Sequence, residues 1–134
     1  MPASLVVHEF TAEDDGGVAI PIIQASGRLD AGTVSILERA LLRTLHSAAK
    51  VIILDLSEVT YISSSGLRVL LTCRRQLRER QGELILCALS QNVRDVFDMV
   101  GFTALFGIVD TLEQARHVAA ETVRKIESRA GGNT

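Results

Sequence analysis

The sequence has no tryptophan, one tyrosine (Tyr61) and four phenylalanines, so its core has to be built from Leu, Ile, Val and Ala. Cysteine is nearly as scarce. Cys73 and Cys87 both fall inside apolar patterns, and no Cys-x-x-Cys pair occurs. That removes the usual dithiol redox and zinc motifs and leaves two reduced, buried or half-buried thiols. The three histidines (His8, His46, His117) are scattered, and no His/Cys/carboxylate cluster has ligand spacing, so neither a metal nor another cofactor is expected. An excess of positive charge is missing too. Fourteen Lys and Arg against 16 Asp and Glu give a formal net charge of −2, which argues against nucleic-acid binding by counterion release. No apolar run reaches the roughly 18 residues of a membrane span, and no N-terminal stretch has the pattern of a secretory signal. The expectation is a soluble cytoplasmic protein with no membrane contact.

What is present reads as one α/β domain over 1–134, with a core about 5–128 and a flexible polar tail at 129–134. Leu5 to Phe10 is a first strand, Thr11 to Gly17 a hairpin turn, and Val18 to Ala25 an antiparallel return. Pro21 belongs at an edge-facing position or a bulge of that second strand. Gly27-Arg28-Leu29-Asp30 breaks it, and Val34, Leu37, Leu41 and Leu45 set a helix period over Ala31 to Ala48. Val51 to Leu56 is nearly continuous apolar sequence, as a strand buried on both faces requires. After a short connection, Ser57 to Ile62, a helix runs from the serines to Gln81, with Gly82 as its C-cap glycine. Glu83 to Ala88 is a buried strand, Ser90 caps a short helix closed by Gly101, and Phe106 to Asp110 is a last strand. The final helix spans Leu112 to about Ser128. Such β-α alternation implies a mixed, largely parallel sheet with covering helices and right-handed crossovers.

The informative junction is Ser63-Ser64-Ser65-Gly66-Leu67, between the buried strand and the second helix. The first turn of a helix has unpaired N–H groups and the positive end of the dipole. Serines there act as caps, or they offer hydroxyls where a phosphate would meet favourable donors. No phosphate-binding loop and no Gly-x-Ser-x-Gly elbow occurs, and Ser64 has no identifiable His/Asp partner, so catalysis by this chain is not expected. Arg68, Arg75 and Arg78 fall near one another on the second helix. They read as a solvated face or as a docking rim for an acidic partner. Asp30 either helps cap the first helix or sits beside Ser64, and Asp55, within a buried strand, suits a structural hydrogen bond.

Three segments in order resemble the STAS domain family, specifically the bacterial anti-sigma-factor antagonists. They are Gly27-Arg28-Leu29-Asp30, the stretch Val51 to Leu71, and Cys87 to Phe102 with Phe97, Asp98, Met99 and Gly101 in place. The resemblance covers roughly residues 5 to 126. It implies a STAS-type single α/β domain with about four helices. It also implies a partner switch in which the unphosphorylated protein binds an anti-sigma factor that is itself a serine kinase, a GHKL-type ATPase. Phosphorylation at Ser64 would end binding, and a PP2C-type serine phosphatase would restore it. Ser63 stands where the family motif has aspartate, so Ser63 and Ser65 remain lesser candidates for the phosphate. The implied partner surface is Asp30, Ser63, Ser64, Ser65, Gly66 and Arg68, on a monomer or weak dimer. Alternatives are a STAS module of a non-sigma pathway (secretion, biofilm or second-messenger output), a subunit of a transport complex, or a nucleotide-binding domain.

Overall fold

The computed structural model describes residues 5–14 and 16–131. Its elements are β1 (Leu5–Glu13), β2 (Ala19–Leu29), α1 (Val34–His46), β3 (Val51–Ile62), α2 (Ser64–Glu79), β4 (Glu83–Cys87), α3 (Gln91–Met99), a 3₁₀ turn (Phe102–Ala104), β5 (Gly107–Val109) and α4 (Leu112–Gly131). One sheet runs in the order β1-β2-β3-β4-β5, antiparallel between β1 and β2 and parallel from there on.

The apolar pattern of β3 explains the layering. Ile52, Leu54 and Leu56 enter a core shared with Leu37 and Leu41 of α1, Leu70 and Leu77 of α2, and Phe97 of α3. Val51 and Ile53 enter a second core with Ile20, Ile22, Ile85, Cys87, Ala115 and Ala119, beneath α4. A parallel strand covered on both faces has no polar side to present, which is why its sequence does not alternate. Leu112, Val123 and Ile126 pack at the margin of that second core. Three of the four phenylalanines gather in one place: Phe97, Phe102 and Phe106 have ring centroids 5.7–6.1 Å apart.

Several elements are longer than their local sequence suggests. The segment Ser57 to Ile62 is not a connection but the second half of β3, with Val59 and Ile62 buried. Likewise β2 does not break at Gly27; it continues to Leu29, paired Gly27↔Val59 and Leu29↔Ile62, with register irregularities on either side of Ser26 and Gly27. Each strand extends because the other supplies its hydrogen bonds, an effect no local pattern carries. At its other end, β2 carries Pro21 one residue before the β3 pairing starts at Ile22. There the missing N–H costs that ladder nothing. The hairpin turn is tighter than Thr11 to Gly17, because β1 runs on to Glu13. Asp14 closes it by accepting the Gly16 and Val18 N–H groups at 3.1 and 2.8 Å.

The α2 terminus differs in mechanism from a C-cap glycine. Gln81 adopts the left-handed conformation (φ 64°), and the Gly82 N–H reaches the Leu77 carbonyl at 2.7 Å while Gln81 N–H reaches Arg78 at 3.0 Å. This is the Schellman pattern with Gln81 at the strained position. Gly82 is required for a different reason: a Cβ there would lie 1.9 Å from the Lys50 carbonyl oxygen. Finally, α1 starts at Val34, after the Asp30–Thr33 turn, and α4 carries the chain as helix through Gly131. Residues 129–131 are thus helix and not tail; the rest of the expected tail lies outside the described residues.

Candidate functional site

Ile62 ends β3, and the next residue turns the chain into α2. Ser63 is extended (φ −94°, ψ 173°), donates its N–H to the Leu29 carbonyl at 2.9 Å, and accepts the Gly66 N–H on its Oγ at 3.3 Å. Its carbonyl takes the first intrahelical bond, from Leu67 N–H at 3.0 Å. Ser63 is therefore the N-cap. This separates the serines by role. Ser64 is the first helical residue and exposed, and its hydroxyl makes no hydrogen bond among the described residues. Ser65 is half-buried. The backbone N–H groups of Ser64 and Ser65 find no intramolecular acceptor among the described residues. No acidic side chain stands in the first turn, so the positive end of the α2 dipole is uncompensated there.

Gly66 is buried, with its missing side chain filled by neighbours: a Cβ would lie 2.9 Å from both Ile62 Cγ1 and Leu29 Cγ. Gly66 thus sets how closely α2 sits on the ends of β2 and β3, and it reaches the surface only through the serines it positions. One turn along, Arg68 is exposed and makes no ion pair among the described residues.

The hydrogen bond from Ser63 N–H to Leu29 brings the Asp30 turn against the serine junction. The first reading of Asp30, at the entry to α1, is seen directly. Its carboxylate accepts the Gly32 N–H at 3.0 Å, its N–H donates to Thr33 Oγ1 at 3.0 Å, and its carbonyl accepts the Val34 N–H at 2.9 Å, which organises the entry to α1. It is also half-exposed, 3.7 Å from Arg28 Nε, and follows directly on Leu29, whose carbonyl holds Ser63. The Arg28 guanidinium lies 4.2 Å from the centroid of the Tyr61 ring, and Tyr61 is 41% exposed. This Arg28–Tyr61 stack is part of the surface that sequence reasoning missed. The two face each other only because of the shifted register that pairs Arg28 with Tyr61, a fact visible in no local motif.

The arginines of α2 divide. Arg80 donates to the Leu45 and Ala49 carbonyls at 2.7 and 3.3 Å and so completes the end of α1. Arg74 lies over Phe106 at 5.9 Å, and Arg78 pairs with Glu83 at 3.0 Å. Arg68 and Arg75 are left as outward cations. Asp55 is buried and accepts from Gln24 Nε2 and the Ser57 N–H, both at 2.9 Å, the structural role its strand position suggested. Burial pushes the Cys73 and Cys87 thiols up to about 12. Among the described residues no group of three His, Cys, Asp or Glu is placed to hold a metal ion, and no helix is long and apolar enough to cross a membrane.

Comparison with known proteins gives this geometry a context. A sequence model of the STAS domain matches residues 9–115. A protein of Bordetella bronchiseptica, BtrV, assigned as an anti-sigma factor antagonist, is 36% identical over 107 residues, covering 80% of this chain and 90% of its own. The anti-sigma-B factor antagonist of Listeria monocytogenes is 34% identical over 86 residues, covering 64% and 75%. Among solved structures, an anti-sigma factor antagonist from Mycobacterium paratuberculosis superposes with a TM-score of 0.72 at 23% identity, over 86% of this chain and 95% of that one. The antagonist SpoIIAA in its unphosphorylated form gives 0.65 at 22% identity over 96% of both chains. The five-stranded sheet and four helices agree with those structures. The chain belongs to the STAS domain family.

Proposed function

We propose that this protein is an anti-sigma factor antagonist and that Ser64 is its phosphate-accepting switch. The observation that carries the reading is the division of labour at the serine junction. Ser63 already caps α2, so the outward Ser64 hydroxyl has no structural duty to lose. A kinase can take its proton and attach the γ-phosphoryl of ATP, releasing ADP, without opening the helix. The product would carry about −1.5 to −2 charge. Two unpaired N–H groups and the helix dipole favour that charge locally by about 0.3–1 kcal/mol, and Arg68 stands one turn away. The phosphate is therefore tolerated by the fold while it transforms the surface that a partner would touch.

In the unmodified state that surface holds one ion pair, Arg28 with Asp30, and one outward cation, Arg68, beside the uncovered end of α2. It joins Ser64 and Ser65 to Asp30, Arg28 and Tyr61, an arrangement suited to hydrogen-bonded docking of an anti-sigma factor. Phosphorylation adds an anion that a docked partner would strip of water, which costs several kcal/mol unless the partner supplies a cation to meet it. The partner is read as a serine-kinase anti-sigma factor of the GHKL ATPase type, and the reset as a PP2C-type phosphatase. Support for a phosphorylated state comes also from the fold: SpoIIAA is known in a phosphorylated form that superposes on this chain with a TM-score of 0.65. The serine in place of the motif aspartate retains the capping function, since both residue types are good N-caps.

The test uses wild type, Ser64→Ala and Ser64→Asp as baits in source-cell lysate, followed by ATP and phosphosite mapping. A serine-kinase ATPase should bind wild type and Ser64→Ala, phosphorylate only wild type, and fail to bind Ser64→Asp. Equal retention of that partner by all three baits, or phosphate mapped to Ser63 or Ser65, would overturn the assignment of Ser64.

A further inference from the structure

The sheet has two edges of unequal kind. β5 is three residues long, whereas β1 offers an edge along nine, Leu5 to Glu13, that is unpaired among the described residues. Long edges in natural proteins are usually blunted by charged side chains, lysine above all, by proline or by a bulge; the charges of β1 are Glu9, paired with Arg43, and Glu13 at its last position. β1 carries no proline, glycine or lysine, and its pairing to β2 runs without irregularity. One face is satisfied: Leu5 and Val7 pack into the α1–α2 core, and Glu9 is held by Arg43. On the other face Ala12 reaches the core under α4, but Val6 and Phe10 remain 53% and 44% exposed, with His8 exposed between them.

The order of these side chains selects an occupant. If two β1 strands pair antiparallel with His8 opposite His8, Val6 of each copy faces Phe10 of the other. In the same register Val7 meets Glu9 and Leu5 meets Thr11. Moving the centre to Glu9 sets two carboxylates opposite each other and His8 against Phe10. Moving it to Val7 sets Val6 against His8. The register centred on His8 alone sets the two exposed apolar side chains, Val6 and Phe10, against each other; the Glu9 centre pairs Val6 only with the half-buried Ala12, and a centre at Phe10 or Val6 matches one of the two and not the other. Cross-strand apolar pairs are what stabilise and register a ladder.

We propose that two copies of this chain associate through their β1 edges, with His8 on the two-fold axis and Val6 and Phe10 forming a shared apolar cluster. The contact is isologous, so it closes at two. It leaves Ser64 free, because that residue lies at the end of β3, two strands in from the joined edge. One particle would then present two switch surfaces, and a two-sited partner would bind it with added avidity. A strand-edge contact buries less than the roughly 1,600 Å² of a standard interface, so the dimer is weak and reversible, with a Kd on the order of 10–100 μM.

Sedimentation velocity of the full chain across that concentration range should give a mass rising from one copy toward two. Phe10→Lys should shift the transition at least about tenfold upward in concentration. The register is read separately by mild oxidation. His8→Cys should cross-link to a covalent dimer, since directly opposed residues lie within disulfide reach. Ala12→Cys, on the same face but about 27 Å from its mate at about 3.4 Å per residue, should not. The two native thiols are buried and do not compete. A wild-type chain that stays monomeric throughout overturns the proposal. So does a dimer in which the two cysteine variants cross-link equally, and if Phe10→Lys loses its fold, the cysteine pair decides.

Discussion

Replacing Ser63 and Ser64 one at a time by alanine separates the cap that Ser63 forms from the phosphate acceptance proposed for Ser64. Ser63→Ala removes the side-chain acceptor of the Gly66 N–H and leaves that N–H inside a buried turn without a partner. Loss of an N-cap costs about 0.5–2 kcal/mol, typically about 1. The long 3.3 Å bond argues for the middle of that range and not the top. For a chain of this length about 1 kcal/mol corresponds to a fall in Tm of about 3–4 °C. Ser64→Ala removes an exposed hydroxyl with no internal partner, at a first-turn position where alanine is a good helix former, so stability should stay within about 0.5 kcal/mol. Phosphate acceptance should show the opposite pattern: kept in Ser63→Ala, lost in Ser64→Ala. Urea melts and phosphorylation by the serine kinase captured with the wild-type bait, run on the same preparations, read both axes. If Ser64→Ala is the destabilised variant and Ser63→Ala the silent one, the assignment of cap and acceptor is reversed and the reasoning fails.

Two further outcomes follow from the packing. Gly66→Ala should destabilise by about 1–2 kcal/mol, because a Cβ 2.9 Å from Ile62 and Leu29 forces strain of about 1–3 kcal/mol that the better helix propensity of alanine offsets only in part; a thermal melt at or above the wild-type midpoint would contradict the close approach. The buried thiols, raised from 9 to about 12, keep their protons in the native state after the unfolded chain has lost them. Stability is therefore complete below about pH 9 and falls as pH rises toward 12. Accordingly Ellman's reagent should label the native protein at least about a hundredfold more slowly than the unfolded chain at pH 8; a fast native reaction at either cysteine would refute the burial.

Much of the architecture was legible because its signals are local. The helix period through Val34, Leu37, Leu41 and Leu45, the continuous apolar run of β3, the Ser90 cap and the Gly101 stop all act within a few residues, and all four appear in the structure. The strand extensions were illegible for the opposite reason. Ser57, Glu58 and Thr60 look like a loop until Ser26 and Gly27 of β2 supply their partners. Gly82 misled in a related way: next to a helix end, a glycine reads as the left-handed residue, whereas here the backbone of Lys50 approaches it from another element.

The sequence by itself determined the class of fold, the order of its elements and the place of the serine-rich junction between β3 and α2, since hydrophobic period and capping chemistry are properties of a short stretch of chain. Only the tertiary structure decided which serine caps and which faces outward, that Arg28 stacks on Tyr61, that Gly66 is a packing position, and that among the described residues β1 is left with a bare edge. Each of those depends on a partner distant in sequence. The roles of Ser63 and Ser64 follow from where Leu29 and Gly66 stand around them, and that placement exists only once β2 and β3 have paired.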